Sequence, residues 1–444
     1  MTPRRGAAAA ILGLLGVLAQ GGLRGQETPE PGAGDEPRAD GRAREAVFER
    51  FKASVVTVEV HPLGGEARST LGSGYVAAPG SLIVTNYHVV SSFIQRPERH
   101  RLQVKSVAGT APAELVAFDL VNDLALLKAP VDAAPLRLAA SSGGRGAPIL
   151  AFGNPEGLGL SLVEGVMNGF AEKGFVDRML LSMPLHSGMS GGPILNARHE
   201  VVGTNVSTSW RSNVLSFGVP VKAVHALIEA PRVAATGEAL RLETRRQLAG
   251  LEGQTLERVI APFSEPGRDL VAVGAARAPR PPDPFECWTS TQPPGAEGMS
   301  KTSFQCNLQF TPSLEDLGEV ASVDLLVEHL VSRRSRYGFY GGLGQHAGWH
   351  HGVQPRARDN GMMSTPVCDS GRVRTDHLVW QLSHCSYSYV RHSDLGYFAL
   401  VGTSVSRPDE AVFMALHGRG VGLSSFLRLA EAALRGVRLG DTTP

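Results

Sequence analysis

Cysteine is almost missing from this 444-residue chain: there are four, and none precedes Cys287. Any disulfide is therefore confined to the last third. A surplus of one charge is missing too. Lys and Arg total 43 against 42 Asp and Glu, for a formal net charge of +1. That balance gives no basis for a nucleic-acid partner. Charged residues make up only 19% and hydrophobic residues 42%, the composition of a packed globular protein and not of a disordered one. Beyond the first 25 residues no apolar run is long enough to span a membrane. No glycine-rich segment carries the lysine of a phosphate-binding loop; FGNPEGLGL lacks it.

The chain opens MTPRRGAAAAILGLLGVLAQGGLRG. Two arginines, a short apolar run and small residues form the pattern of a secretory signal peptide over residues 1–25, with cleavage after Gly21 or Gly25. The expectation is a chain exported to the periplasm or secreted, with no membrane span after processing. Residues 26–42 are rich in Pro, Gly and charge and read as a flexible linker. Residues 43–232 begin with a short helix at AREAVFERFK. They continue as short β-branched runs between glycine-rich turns, from SVVTVEV through SLIVTNYHVV and DLALLKA to LSFGVPV, and close on the helix pattern VPVKAVHALIEA. Many short strands with few helices indicate a barrel or sandwich. Residues 233–263 read as a charged helical connector. Residues 264–444 read as an α+β domain of unassigned fold, with a faint internal repeat in which helix-like VDLLVEHLV and LSSFLRLAEAAL follow the two cysteine pairs. Four cysteines in an exported chain point to disulfides, and the local pairs Cys287–Cys306 and Cys368–Cys385 are favoured over the other pairings and over free thiols.

HSGMSGGPIL, residues 186–195, places Ser190 in a glycine-rich turn. Serine attacks a carbonyl only when a histidine accepts its proton, a carboxylate fixes that histidine, and donors hold the oxyanion. His88 follows the apolar strand SLIVT, where the chain turns. Asp123 directly precedes LALL, which would shield it from water. The glycine turn could aim the N–H groups of Gly188 and Ser190 at one point. Each residue alone is commonly structural; the three together, in the order His88, Asp123, Ser190, constitute a candidate triad.

The same residues resemble a family. GSGYVAAPGSLIVTNYHVV, NDLALLK, FGNPEGLGLSLVEGVMNG, SGMSGGPILNARHEVVGTNV and SFGVPVKAV occur in the order found in chymotrypsin-fold serine proteases, most similar to their HtrA/Do-like bacterial branch. The likeness spans about residues 46–229 and implies a mainly β fold with two antiparallel barrels and the triad between them. It implies a serine endopeptidase acting on proteins or peptides through His88, Asp123 and Ser190, with Gly188 and Ser190 as the oxyanion hole and no metal or organic cofactor. It also places Pro184 at the base of the primary pocket, with Asn205, Ser207, Ser216 and Gly218 in its walls. With no acid at 184, a small or medium apolar guest is expected instead of Arg or Lys. Two departures stand out: Met189 replaces the family's usual Asp or Asn beside the nucleophile, and Tyr87 is larger than usual. No PDZ-like Gly-Leu-Gly-Phe signature follows residue 230. Met189 and the unassigned C-terminal unit motivate an alternative, a catalytically silent chymotrypsin-fold scaffold that binds through its C-terminal domain. His346, His350 and His351 in QHAGWHHG are read as a loop and not a zinc site, His186 as a residue lining the cleft, and His384 as a surface strand residue.

Overall fold

The computed structural model describes residues 39–440 except 66, 207–214, 266–268, 295–297, 309–311, 315–317, 333–337, 345–362 and 405–408. Helix α1 (Ala39–Phe51) leads into six strands: β1 (Val55–Pro62), β2 (Thr70–Ala78), β3 (Leu82–Thr85), β4 (His100–Ser106), β5 (Gly109–Asp119) and β6 (Leu124–Lys128). They close into an antiparallel barrel in the order β1-β2-β3-β6-β5-β4. A second closed barrel, β10-β11-β12-β9-β8-β7, is built from β7 (Pro148–Gly153), β8 (Ser161–Phe170), β9 (Met179–Ser182), β10 (Pro193–Asn196), β11 (Val201–Val206) and β12 (Leu215–Pro220). This is the chymotrypsin-like double barrel expected from the sequence. Its interior is apolar for the usual reason: every second side chain of a barrel strand points inward. Ile149, Met167, Leu181, Met183, Ile194 and Val202 fill the second barrel.

One strand is shorter than its sequence suggests. In SLIVTNYHVV the strand stops at Thr85, and Tyr87–Gln95 form helix α2, whose buried Tyr87, Val90, Ser91 and Ile94 recur at helical spacing. After α3 (Val221–Glu229), the chain runs into α4 (Gly237–Thr255), which continues through a π turn at Leu256–Ile260 into α5 (Ala261–Phe263).

The rest is mainly β. Strands β13 (Leu270–Val273) and β14 (Ala276–Pro279) pair with a short β24 (Arg438–Leu439), and β17 (Ser313–Leu314) pairs with β18 (Gly318–Glu319). A seven-stranded antiparallel sheet has the order β15-β16-β19-β23-β22-β21-β20, made of β15 (Phe285–Gln292), β16 (Met299–Leu308), β19 (Ser322–Ser332), β20 (Val367–Arg374), β21 (Val379–Ser388), β22 (Gly396–Ser404) and β23 (Glu410–Val421). Residues 338–344 form helix α6, and α7 (Leu423–Gly436) follows β23. VDLLVEHLV, which reads as helical, is the body of β19. Both faces of that strand are largely buried, so the apolar run is continuous and the period of two is hidden. Cys287–Cys306 and Cys368–Cys385 are the two disulfides; each joins directly opposed residues and ties an edge strand of the sheet to its neighbour.

Helix α4 joins this sheet to the first barrel. Gln247 donates to Phe118 O at 2.8 Å and accepts from Leu120 N at 2.7 Å. One turn on, the Glu252 carboxylate accepts from Gly422 N at 2.9 Å and Ser425 Oγ at 2.7 Å, satisfying the start of α7. Apolar residues of the first barrel, α4 and the sheet form one continuous core, with Leu127, Leu248, Leu251, Phe304 and Phe426 among them.

Candidate active site

Asp123 lies in the turn between β5 and β6 with φ of 64°, a left-handed conformation that Asp tolerates better than most residues. Asn86 Nδ2 donates to its carbonyl at 2.7 Å. The Asp123 carboxylate then does two things at the start of α2. Its Oδ1 accepts the backbone N–H of His88 at 2.9 Å, capping the helix from outside, where the helix dipole favours a negative charge. Both oxygens also face His88 Nδ1, at 2.9 and 3.1 Å. A neutral ring that donates from Nδ1 keeps its lone pair on Nε2, the tautomer a general base requires. The side chain of His88 is 34% exposed and that of Asp123 only 14%. Arg178, at the end of the β8–β9 loop, is itself buried; desolvation lowers its pKa, while Asp123 first, then Asp119 and Asp177, oppose that shift.

Ser190 is buried on the turn before β10. Its carbonyl accepts from Ser73 N on β2 at 2.8 Å. Gly191 has φ of 89°, and a Cβ there would stand 2.2 Å from Ser73 O, 2.4 Å from Thr85 Oγ1 and 3.0 Å from Asn86 N. The chain beside Ser190 thus lies against the residue two before His88, and no side chain fits at 191. Tyr75 Oη and Thr204 Oγ1 bond across the two barrels at 3.0 Å, as do Asn154 Nδ2 and Thr57 Oγ1 at 2.9 Å, which fixes the barrels beside this turn.

The turn's carbonyls are all used. Ser187 O accepts from Glu156 N at 2.8 Å, Gly188 O from Ser73 Oγ at 2.7 Å, and Met189 O from Gly192 N at 3.1 Å. In a trans peptide the N–H points opposite to the C=O. Anchoring the carbonyls of Ser187 and Met189 therefore turns the N–H groups of Gly188 and Ser190 away from those anchors. Neither N–H has an acceptor among the described residues. Two unspent donors thus flank Ser190, and the carboxylate-held His88 stands on α2, two residues after Asn86, whose backbone lies against Gly191.

Residues 72–203 match the family model described as a trypsin-like peptidase domain. The chain carries a trypsin-like peptidase domain. It is 32% identical over 192 residues to serine protease HTRA2, mitochondrial, of Bos taurus, covering 39% of this chain and 40% of that protein. It is 28% identical over 213 residues to Protease Do-like 5, chloroplastic, of Arabidopsis thaliana, covering 40% and 66%. A probable periplasmic serine endoprotease DegP-like of Hahella chejuensis is 31% identical over 169 residues, covering 35% and 34%. The chain thus spans less than two thirds of the length of each.

Of the residues expected in the pocket, Pro184 is exposed, while Asn205, Ser216 and Gly218 are buried. Asn205 Nδ2 donates to Phe152 O at 2.9 Å and reaches Met189 O at 3.4 Å; Ser216 Oγ donates to Met183 O at 2.7 Å. Ser207 lies outside the described residues, as do His346, His350 and His351. His186 is exposed and its carbonyl accepts from Met189 N at 3.0 Å. His384 is half-buried on β21, and burial lowers its pKa. Among the described residues no group of three or more His, Cys, Asp and Glu could hold a metal ion, and no helix is long and apolar enough to cross a membrane. Met189 is buried among the apolar residues of the second barrel. Sequence reasoning passes over Ser73 and Arg178. The glycines around Ser73 hint at close packing, but nothing local marks Arg178, whose neighbours come from another strand pair.

Proposed function

We propose that this protein is an exported serine endopeptidase that hydrolyses peptide bonds in proteins or peptides through an acyl-enzyme. Ser190 Oγ attacks the scissile carbonyl carbon while His88 Nε2 takes its proton. Asp123 holds the imidazolium that forms. The carbonyl oxygen gains the negative charge and is bound by the N–H groups of Gly188 and Ser190. His88 then protonates the leaving amine, and the C–N bond breaks to leave an ester on Ser190. Water repeats the sequence, with His88 again as base, and releases the acid.

The observation that carries this reading is the pair of short contacts from the Asp123 carboxylate to His88 Nδ1, which prepares Nε2 as the base. Export is supported by the N-terminal pattern, by two disulfides, and by relatives named periplasmic. Pro184 gives the primary pocket no acid at its base, which favours a small or medium apolar side chain there over Arg or Lys. The alternative of a silent scaffold rests on Met189 and on the unassigned C-terminal unit, and the structure bears on the first. That side chain is seated in the barrel core, and the turn's carbonyls are anchored by other groups.

A fluorescent fluorophosphonate tests the proposal, because it labels a serine made nucleophilic by its base. The parent protein should be labelled and cleave a peptide library, and Ser190→Ala and His88→Ala should do neither. A parent that is folded but unlabelled, or a Ser190→Ala variant that cleaves as fast as the parent, would refute it.

A further inference from the structure

We infer that Ser73, on β2 of the first barrel, is the positioning residue that sets the oxyanion turn of the second barrel, the polar tie that Met189 cannot make. This rests on the reading of Gly188 and Ser190 as oxyanion donors. Ser73 is fully buried. All of its polar atoms are engaged on both sides of the cleft. Its Oγ donates to Gly188 O at 2.7 Å and accepts from Asn154 N at 2.9 Å. Its N–H donates to Ser190 O at 2.8 Å, and its carbonyl accepts from Thr85 Oγ1 at 2.7 Å. One residue therefore grips the carbonyls of both residues whose N–H groups would bind the oxyanion.

The hydroxyl also fixes the second half of the turn. The Asn154 N–H that it accepts belongs to the segment that carries Glu156, whose N–H holds Ser187 O at 2.8 Å. Ser187 O shares its peptide plane with the Gly188 N–H. Ser73 Oγ thus acts on Gly188 twice, directly through its carbonyl and indirectly through residues 154–156. Gly188 has no freedom to move toward this segment with a side chain attached: φ is 90°, and a Cβ would sit 2.4 Å from Asn154 O. Met189 adds only apolar contact. Its side chain is buried, and its backbone N–H is spent on His186 O at 3.0 Å.

Removing the hydroxyl leaves Gly188 O and Asn154 N buried without that partner, and the cheapest relief is a shift of residues 154–156 that frees Ser187 O and lets the 187–188 peptide, which carries the Gly188 N–H, rotate. Rotation misaims the oxyanion donors without touching the ground-state binding of a peptide. Ser73 should therefore act on kcat and not on KM.

The test uses the full chain and compares Ser73→Ala, Ser73→Cys and Ser73→Thr with the parent. The readouts are kcat and KM on a peptide substrate and amide hydrogen exchange over residues 186–192. Ser73→Ala should lower kcat about 100-fold, the loss typical of one oxyanion donor, with KM unchanged within about threefold. Exchange in 186–192 should rise at least about tenfold while the other barrel strands keep their protection. Ser73→Cys, which fills the same space with a weak donor, reads the same loss if the alanine variant does not fold. Ser73→Thr retains the hydroxyl and should recover most of kcat. A Ser73→Ala or Ser73→Cys protein with kcat within about threefold of the parent, or with unchanged exchange in 186–192, overturns the inference. Should the parent itself show no hydrolysis, the nucleophile reading fails, and the exchange measurement still decides whether Ser73 orders the turn.

Discussion

Asp123→Asn isolates what the carboxylate contributes at the site. The substitution keeps one oxygen, which can still accept the His88 backbone N–H now held at 2.9 Å, so the start of α2 stays capped. The other oxygen becomes an NH2 group facing His88 Nδ1. Two donors cannot bond, so the ring adopts the tautomer with its proton on Nε2, the atom that must receive the proton of Ser190. The charge is lost as well. In the transition state the ring is an imidazolium with its Nδ1 2.9 Å from a carboxylate oxygen. With an effective dielectric of about 20, suited to a partly exposed pair, Coulomb's law gives roughly 5–6 kcal/mol. At 1.36 kcal/mol per decade that is about 10⁴ in rate. Asp123→Asn should therefore lose about 10⁴ in kcat on a peptide substrate, while its unfolding free energy from urea denaturation changes by less than about 1 kcal/mol. A loss of less than tenfold would refute the assignment of Asp123 as the group that orients and charges His88. A collapse of the fold would instead mean that the carboxylate's cap on α2 is its main work.

Two further outcomes are expected. His392 is buried with no protein hydrogen-bond partner for either ring nitrogen among the described residues, and burial, with Arg245 and Arg391 nearby, lowers its pKa to about 4 against the pull of Asp394. The folded state thus resists the proton that the unfolded chain takes up near pH 6.5, so stability should fall as pH drops from about 6.5 to 4, by about 3 kcal/mol from this residue; His392→Leu should flatten that part of the urea-midpoint profile, and an identical profile would refute the link. Deleting residues 264–444 should yield an aggregating, dye-binding barrel, because Leu248, Leu251, Val259 and Ile260 share one core with the sheet; a monomeric truncated protein as stable as the parent would show that the shared core contributes little.

The double barrel is legible in the sequence because each of its strands is short, bounded by glycine, proline or a polar turn, and apolar where it faces inward. The exception is instructive. SLIVTNYHVV looks like one strand because Val89 and Val90 continue the β-branched run, yet both belong to α2 and are buried there, where tertiary packing outweighs their weak helix propensity. β19 errs the other way: burial on two faces erases the alternation that would have declared it. The two disulfides are local, and their partners lie opposite each other in edge hairpins, so short sequence separations of 19 and 17 residues correspond to neighbouring strands.

At the candidate site, legibility follows the chemistry. His88, Asp123 and Ser190 can be read because few residue types do their work and each stands at a recognisable turn. The groups that hold the turn cannot be read in that way. Four backbone atoms, one serine hydroxyl and one buried amide supply the bonds that aim the Gly188 and Ser190 donors, and a backbone N–H or C=O is the same in every sequence. Met189 shows the consequence. Judged by residue type it removes a polar contact from the oxyanion turn and puts the turn's order in doubt. Judged by accounting for each carbonyl, the turn is held without it: Gly188 O is bound by Ser73 Oγ, 115 positions earlier in the chain and on the opposite barrel. A substitution beside a nucleophile therefore has to be weighed against every partner of the peptide planes around it, and those partners become visible only once the two barrels are closed.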